Sequence, residues 1–411
     1  MTRPVPARGL AAGLCLTALL AGSASAQTTP DKPDLYQEAL QSIAEGRKND
    51  ASAALMRVIE NEPLHAGAWL EIALIQCSLG HADEADRLFR DIIERFKPPQ
   101  GILDLISEAR AGGCNSWHAN SQGSLMVARG IDQNVNQGAS TSTYAVIRDG
   151  IPLEEILSPD FLPRHDQYSV FGGEYMRDIT PNGSIAFGQF QARRNDSLSQ
   201  YDSASLFVGV ETPWRLGRWT LRSTSMLGLT SLGGALYQRH VQFQARVGPP
   251  IALPGKTQLH LIAAYSHVDY RTLVSFDSNT VELKAQLSYR SNGSSASLTS
   301  GYLNDHATGD RAGGDRHGWL HSLLVRQALP EGMMTEVGLV RQSWHSALPY
   351  APAIPVVRDQ RTQVIRATLI MPVGKNHNVQ LEARQVRNKE NISVFQYNNR
   401  LLQLSWQWNG L

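Results

Sequence analysis

The sequence predicts two units in series: an α-helical repeat unit, then a fourteen-stranded antiparallel transmembrane β-barrel. Three observations predict it. A helical hydrophobic period runs from about residue 33 to 113 and is gone after Cys114. Beyond it, segments of roughly ten residues alternate apolar with polar, the length a tilted strand needs to cross a bilayer. The connections between those segments alternate short with long.

The elements follow in chain order. Arg3 and Arg8 precede the apolar stretch LAAGLCLTALLAG, and Ala24 and Ala26 occupy the small-residue positions of an A-x-A cleavage site. Residues 1–26 read as a secretory signal peptide. Cys15 makes a poor lipoprotein site, because bulky Leu14 precedes it and the apolar run continues past it. The mature chain then begins near Gln27, outside the cytoplasm. Past the N-terminus no apolar run of about 18 residues occurs, so transmembrane helices are not expected. Alternating strands escape that test. Two cysteines remain, Cys77 and Cys114. They read either as a disulfide, which an oxidising compartment permits, or as two buried free thiols.

Residues 27–114 carry the helical unit. Gly46 maps onto Gly80, Ala51 onto Ala85 and Leu55 onto Phe89, a repeat of 34 residues. Pro63 and Pro98 stand one residue off the same register, and breaks fall at Glu62-Pro63, Gly80 and Pro98-Pro99. Small Gly and Ala let paired helices approach, and large residues fill between them. The pattern resembles the tetratricopeptide repeat, with about two copies and a capping helix near Ile102 to Ala111. Tyr36, Leu40, Leu70 and Leu74 are the candidate client-binding residues, on the face that would line a concave groove. The competing reading makes them core.

Residues 115–411 carry the barrel. Segments centre on 120–130, 167–178, 183–193, 203–213, 218–229, 237–248, 257–268, 279–290, 294–303, 318–328, 333–344, 361–372, 377–387 and 397–408. VELKAQLSYR is the cleanest. Val281, Leu283, Ala285, Leu287 and Tyr289 face one way, and Glu282, Lys284, Gln286, Ser288 and Arg290 the other. The closing LLQLSWQW does the same, with Leu402, Leu404, Trp406 and Trp408 on one parity, so that face is expected to meet lipid. DITPNG, TPWRLG, GPPIALPG, RSNGS, LPEG and PVGKNHN read as short periplasmic turns. The stretch 131–166, RRNDSLSQYD, YRTLVSFDS, LNDHATGDRAGGDRH, HSALPYAPAIPVVRD and NKENISVF read as longer outer loops. Two aromatic girdles are expected: Tyr201, Tyr237, Tyr270, Tyr302, Trp319, Trp344 and Tyr397 at the outer strand ends, and Tyr175, Trp214, Trp219, Tyr289 and Trp408 at the inner ends.

Chemistry-bearing motifs are sparse. The twelve histidines are scattered, and HExxH, CxxC, phosphate-binding, dinucleotide and GxSxG signatures do not occur. A dispersed serine-hydrolase triad is the catalytic arrangement that spacing leaves open. Otherwise no enzyme, metal or cofactor is expected. With 38 basic and 37 acidic residues, no polyanion attraction and no nucleic-acid partner is expected. Arg222, Arg246, Glu282, Lys284, Arg290, Arg366, Glu382 and Arg384 are the candidate lumen-facing charges. Their mixed signs fit a paired, hydrated wall or a polar passage, and no selection for one ion sign. In GIDQNVNQG (Gly130 to Gly138), Asp132, Asn134 and Asn136 have the oxygen spacing of a calcium loop. Its glycine and distal glutamate are missing, so the stretch reads as a polar turn capping the barrel mouth.

A tetratricopeptide-like unit followed at once by a fourteen-stranded barrel looks like the surface lipoprotein assembly modifier family. GIDQNVN is similar to the run that opens the barrel in that family. NISVFQYNNRLLQLSWQW, from Asn391 to Trp408, is similar to its closing hairpin. The resemblance implies a Gram-negative outer-membrane translocator that moves lipoproteins or related secreted proteins from periplasm to surface. Its implied partners are outer-membrane lipid and a periplasmic client or chaperone. The alternatives are an exopolysaccharide export channel and a passive porin with a periplasmic docking unit.

Overall fold

The computed structural model describes residues 35–44, 48–112, 114, 119–251, 253–254, 256–291 and 293–410. The expected signal peptide at 1–26 and Gly46 of the repeat register lie outside the described residues. Five helices come first: α1 (Leu35–Ala44), α2 (Lys48–Asn61), α3 (Ala66–Ser78), α4 (Ala82–Phe96) and α5 (Gln100–Ala111). Each packs on the next. The register pairs Ala51/Ala85 and Leu55/Phe89 are fully buried, joined by Ala68, Ile72, Ala73 and Ile92. Alanine therefore sits where helices approach, and large side chains fill the seams. In α4, Asp83 and Glu84 occupy the first turn and Arg95 the last, complementing the helix dipole. Left-handed Lys97 (φ 44°) ends it before Pro98-Pro99. Cys77 and Cys114 form a disulfide that ties α3 to the segment after α5.

The rest is β. In chain order the strands are β1 (Ser121–Asp132), β2 (Thr143–Arg148), β3 (Ile151–Ile156), β4 (Asp166–Asp178), β5 (Ile185–Asn195), β6 (Ser203–Leu216), β7 (Trp219–Leu232), β8 (Ala235–Gly248), β9 (Thr257–Tyr270), β10 (Ser278–Ser291), β11 (Ser294–Ala307), β12 (Arg316–Ala328), β13 (Met334–Ala351), β14 (Ile354–Pro372), β15 (His377–Glu390) and β16 (Tyr397–Asn409). All but β2 and β3 form one closed antiparallel barrel of fourteen strands. β1 closes it against β16, from Ser124↔Asn409 to Asp132↔Leu401. Closure leaves no strand edge unpaired, which hydrocarbon would penalise by several kcal/mol per orphaned backbone group. The outward face is the exposed apolar one, with Val127, Phe171, Leu206, Leu227, Phe243, Leu283, Tyr302, Leu339, Ile365, Leu381, Leu404 and Trp406 all open to the surroundings. An apolar surface of this extent belongs in lipid. The end carrying residues 133–165 is here the loop end, and the opposite end is the turn end.

Four features depart from the sequence expectation. The short–long alternation breaks once: β7 and β8 are joined at the loop end by Gly233-Gly234 alone, at φ 57° and 83°. Two successive left-handed residues form the tight hairpin whose twist matches its strands. The expected loop HSALPYAPAIPVVRD is mostly strand, because β13 and β14 continue as a ribbon past a register shift at Pro349. A bulge absorbs a proline that cannot serve the ladder. Inside 131–166 lies the hairpin β2–β3. Finally, the loop-end girdle is thin. Trp344, Tyr270 and Tyr397 pair with Gly318, Gln238 and Asn388 on the inward parity, leaving Tyr302 and Trp319 facing out on β11 and β12. Strand parity, fixed by long-range register, overrides position along the strand.

Candidate functional site: the barrel interior and its loop-end mouth

The register places all eight candidate lumen charges on the parity opposite the exposed apolar face. Most have partners. Arg222 bonds Glu211 at 2.6 Å across β6–β7. Lys284 pairs with Glu282 on the same strand. Arg384 pairs with Glu382 at 2.7 Å. Arg366 and Arg326 converge from both sides on Glu336, with Arg326 at 2.6 Å. Arg246 stands beside Arg222 in the register, with a buried Nε that has no hydrogen-bond partner. Arg290 stands at the turn end of β10. The row Arg222–Arg246–Ile262–Lys284 runs one inward position from the row Glu211–Thr224–Gln244–Ala264–Glu282. Bases and acids therefore neutralise one another locally, and no ring of one sign forms among the described residues.

The mouth is built around the stretch that opens with Gly130. Tyr168, 1 % exposed, lies over Gly130 so closely that a Cβ there would stand 2.5 Å from its ring. Only glycine leaves room for that ring. The Tyr168 hydroxyl donates to Gln403 at 3.1 Å. Arg193 stacks on the other side, 3.8 Å from the ring centre, and donates to buried Asp132 at 2.8 Å. Asp132 also accepts the Asn134 amide.

Asn134 is a clamp. Its side-chain oxygen accepts the Gly138 amide at 2.7 Å, and its nitrogen donates to the carbonyls of Gly138 and Asn398, each at 3.0 Å. Asn136 donates to the Asp160 and Leu162 carbonyls and accepts the Arg164 amide. The oxygens that gave this stretch its calcium-like spacing are thus occupied by protein donors. Among the described residues, no group of three or more His, Cys, Asp or Glu side chains is placed to hold a metal ion.

The two stretches that carry the family resemblance meet at the barrel seam. The Gln133 amide donates to the Arg400 carbonyl, the Ser140 amide to the Gln396 carbonyl, and Asn398 Nδ2 to Ser140 Oγ. Ser393 Oγ donates to the Thr143 carbonyl, and the Ile147 amide to the Ala353 carbonyl, so β2–β3 is tied to both neighbouring loops.

Sequence reasoning missed the hubs that fix the mouth. Asp305, 0 % exposed, holds Arg311 at 2.9 Å and Arg316 beside it. Glu390 takes two bonds from Arg358, at 2.7 and 2.8 Å. A buried carboxylate needs such pairing, but Arg316 and Arg358 come from the neighbouring strand and Arg311 from the loop six residues on, and none of these spacings is a periodic signal.

In the helical unit, Tyr36, Leu70 and Leu74 pack as half-buried residues against the helix core. Leu40 is also half-buried. The Tyr36 ring sits 4.3 Å from that of His65, which brings the start of α1 to the start of α3.

No family model matches the chain, and no curated protein matches it. Solved outer-membrane proteins do, over 71 % of this chain. An anion-selective porin from Comamonas acidovorans has 10 % identity, 99 % of its own length covered and a TM-score of 0.37. OmpT, an outer membrane protein of Vibrio cholerae, has 6 %, 98 % and 0.39. The outer membrane channel DcaP of Acinetobacter baumannii has 8 %, 97 % and 0.38. These are likenesses of barrel shape alone.

Proposed function

We propose that this chain is an outer-membrane translocator or assembly factor that delivers lipoproteins or related secreted proteins to the cell surface. On this reading residues 1–26 direct export, residues 27–114 form a tetratricopeptide-like unit in the periplasm that receives the client or its chaperone, and residues 115–411 form the barrel, with the loop end outside. The observation that carries it is the seam. The stretch similar to the run that opens the family's barrel is bonded to the stretch similar to its closing hairpin, Asn134 to the Asn398 carbonyl and the Gln133 amide to the Arg400 carbonyl. Those stretches then share the task of holding one defined mouth beside the closing strand. Tyr36, Leu40, Leu70 and Leu74 are the proposed client contacts, and the paired lumen charges the proposed polar wall. Delivery of this kind requires no bond-making chemistry and no cofactor.

A second reading, a passive channel with a helical docking unit, is favoured by the polar inner wall itself. A channel for an anionic polysaccharide is disfavoured by the carboxylate beside most of the inward bases. The test is surface labelling in a strain lacking the chain, complemented either with the full chain or with a chain lacking residues 27–114. Delivery predicts that specific surface proteins vanish and return only with the full chain. An unchanged surface profile, with small-solute uptake lost and restored by the barrel alone, selects the channel.

A further inference from the structure

The outward face of β12 to β16 changes character towards the loop end. One register row reads His321–Arg341–Gln363–Arg387–Asn398, and the next reads Trp319–Ser343–Arg361–Lys389. Arg400 stands one outward position nearer the turn end than Asn398. Arg341, Arg361, Arg387, Lys389 and Arg400 are all exposed, and Asp359 is the only carboxylate on the same outward face of these strands. It lies 3.5 Å from Arg361. Among the described residues the other four cations have no side-chain partner, unlike most of the inward charges.

The depth of this face is set by its neighbours. Leu323, Leu339 and Ile365 lie immediately below it and Trp319 within it. Counted along each strand from the turn end, Arg361, Arg387, Lys389 and Arg400 stand no lower than Trp319, and Arg341 one outward position lower. An outward tryptophan marks headgroup depth. Cations at headgroup depth, outnumbering one carboxylate and above an oily belt, match a phosphorylated headgroup, and arginine forks bind phosphate oxygens bidentately. The cations are densest here. On β1, next to β16, outward Arg129 is held by Asp196; farther round the ring outward Arg194 stands on β5, and outward Arg239 of β8 stands opposite Asp269 in the register.

We propose that this face of β12–β16 is a binding site for a phosphorylated lipid of the surrounding leaflet, whose phosphate is held between Arg341, Arg387, Lys389 and Arg400. The lipid supplements an aromatic girdle that is thin here, and it fixes the depth of the strands bearing the tall loop-end ribbon. The inference rests on the barrel lying in lipid and is independent of what the barrel delivers.

The test uses the full mature chain in detergent, with phosphatidic acid and diacylglycerol as probes, which differ only in the phosphate. Native mass spectrometry counts bound lipid. Phosphatidic acid is expected to stay bound where diacylglycerol is lost. Replacing Arg341, Arg387, Lys389 and Arg400 together by Gln weakens retention about tenfold or more, while Arg194→Gln with Arg239→Gln leaves it unchanged. Heat-dependent gel mobility checks folding. Should the fourfold variant not fold, R387Q and R400Q singly carry the test. Equal retention of the two lipids, equal loss in the far-side variant, or displacement by the same concentration of inorganic phosphate overturns the proposal.

Discussion

At the scale of single residues, the mouth depends on side chains that reach across many strands' worth of sequence. Tyr168 is buried between Gly130 and Arg193, so Tyr168→Ala empties a ring-sized space and is expected to cost about 3 kcal/mol. The transition from compact to unfolded gel mobility should move to lower temperature. Asn134→Ala leaves the Gly138 amide and the Asn398 carbonyl without their partner, at about 1–3 kcal/mol. Limited proteolysis should then cut within residues 133–165 at a rate where the native chain is intact. In the helical unit, burial in α3 pushes the Glu71 carboxyl above its ordinary range. A group whose folded pKa is raised contributes stability that is fully present below its unfolded pKa and lost as pH rises through the folded one. The helical unit should therefore gain stability on mild acidification from neutral pH, and Glu71→Gln should flatten that dependence in a circular-dichroism melt. An unchanged slope in the variant would show that another group sets it.

At the scale of elements, the parts differ in how they are held. The helices rest on a small core stapled by Cys77–Cys114, which closes a span of 37 residues. Such a closure is worth about 2–4 kcal/mol. Reductant should lower the melting of the helical signal and leave the barrel's gel mobility untouched. What was legible in the sequence follows the same division. All fourteen barrel strands could be read, because a period of two is a local property and one face must be oily. The ends of β13 and β14 could not, because the prolines of HSALPYAPAIPVVRD signal loop locally while the ribbon's pairing is long-range. The β2–β3 hairpin was hidden because it presents no buried face, with Ile151 and Ile156 exposed. The inward charges could be named by parity, but their partners could not. Glu211 and Glu336 are chosen by register, and register is fixed by the closed ring.

For the whole molecule, closure separates an oily exterior from a wall of matched charges. That separation can be tested with brominated lipids, which quench only rings they touch. In single-tryptophan variants Trp319 and Trp406, both outward, should be quenched strongly, and inward Trp344 should not. Quenching of Trp344 to the same depth would contradict the register. The rim also differs around its circumference. On one side stands the ribbon of β13 and β14, braced by β2–β3. Nearly opposite, β7 and β8 turn on Gly233-Gly234 alone, held at the side by the Asp202 carbonyl. The cylinder is thus cut like a jug, with a raised handle and a lowered spout. Anything crossing this mouth would meet the lowest wall over the spout, beside the bilayer surface.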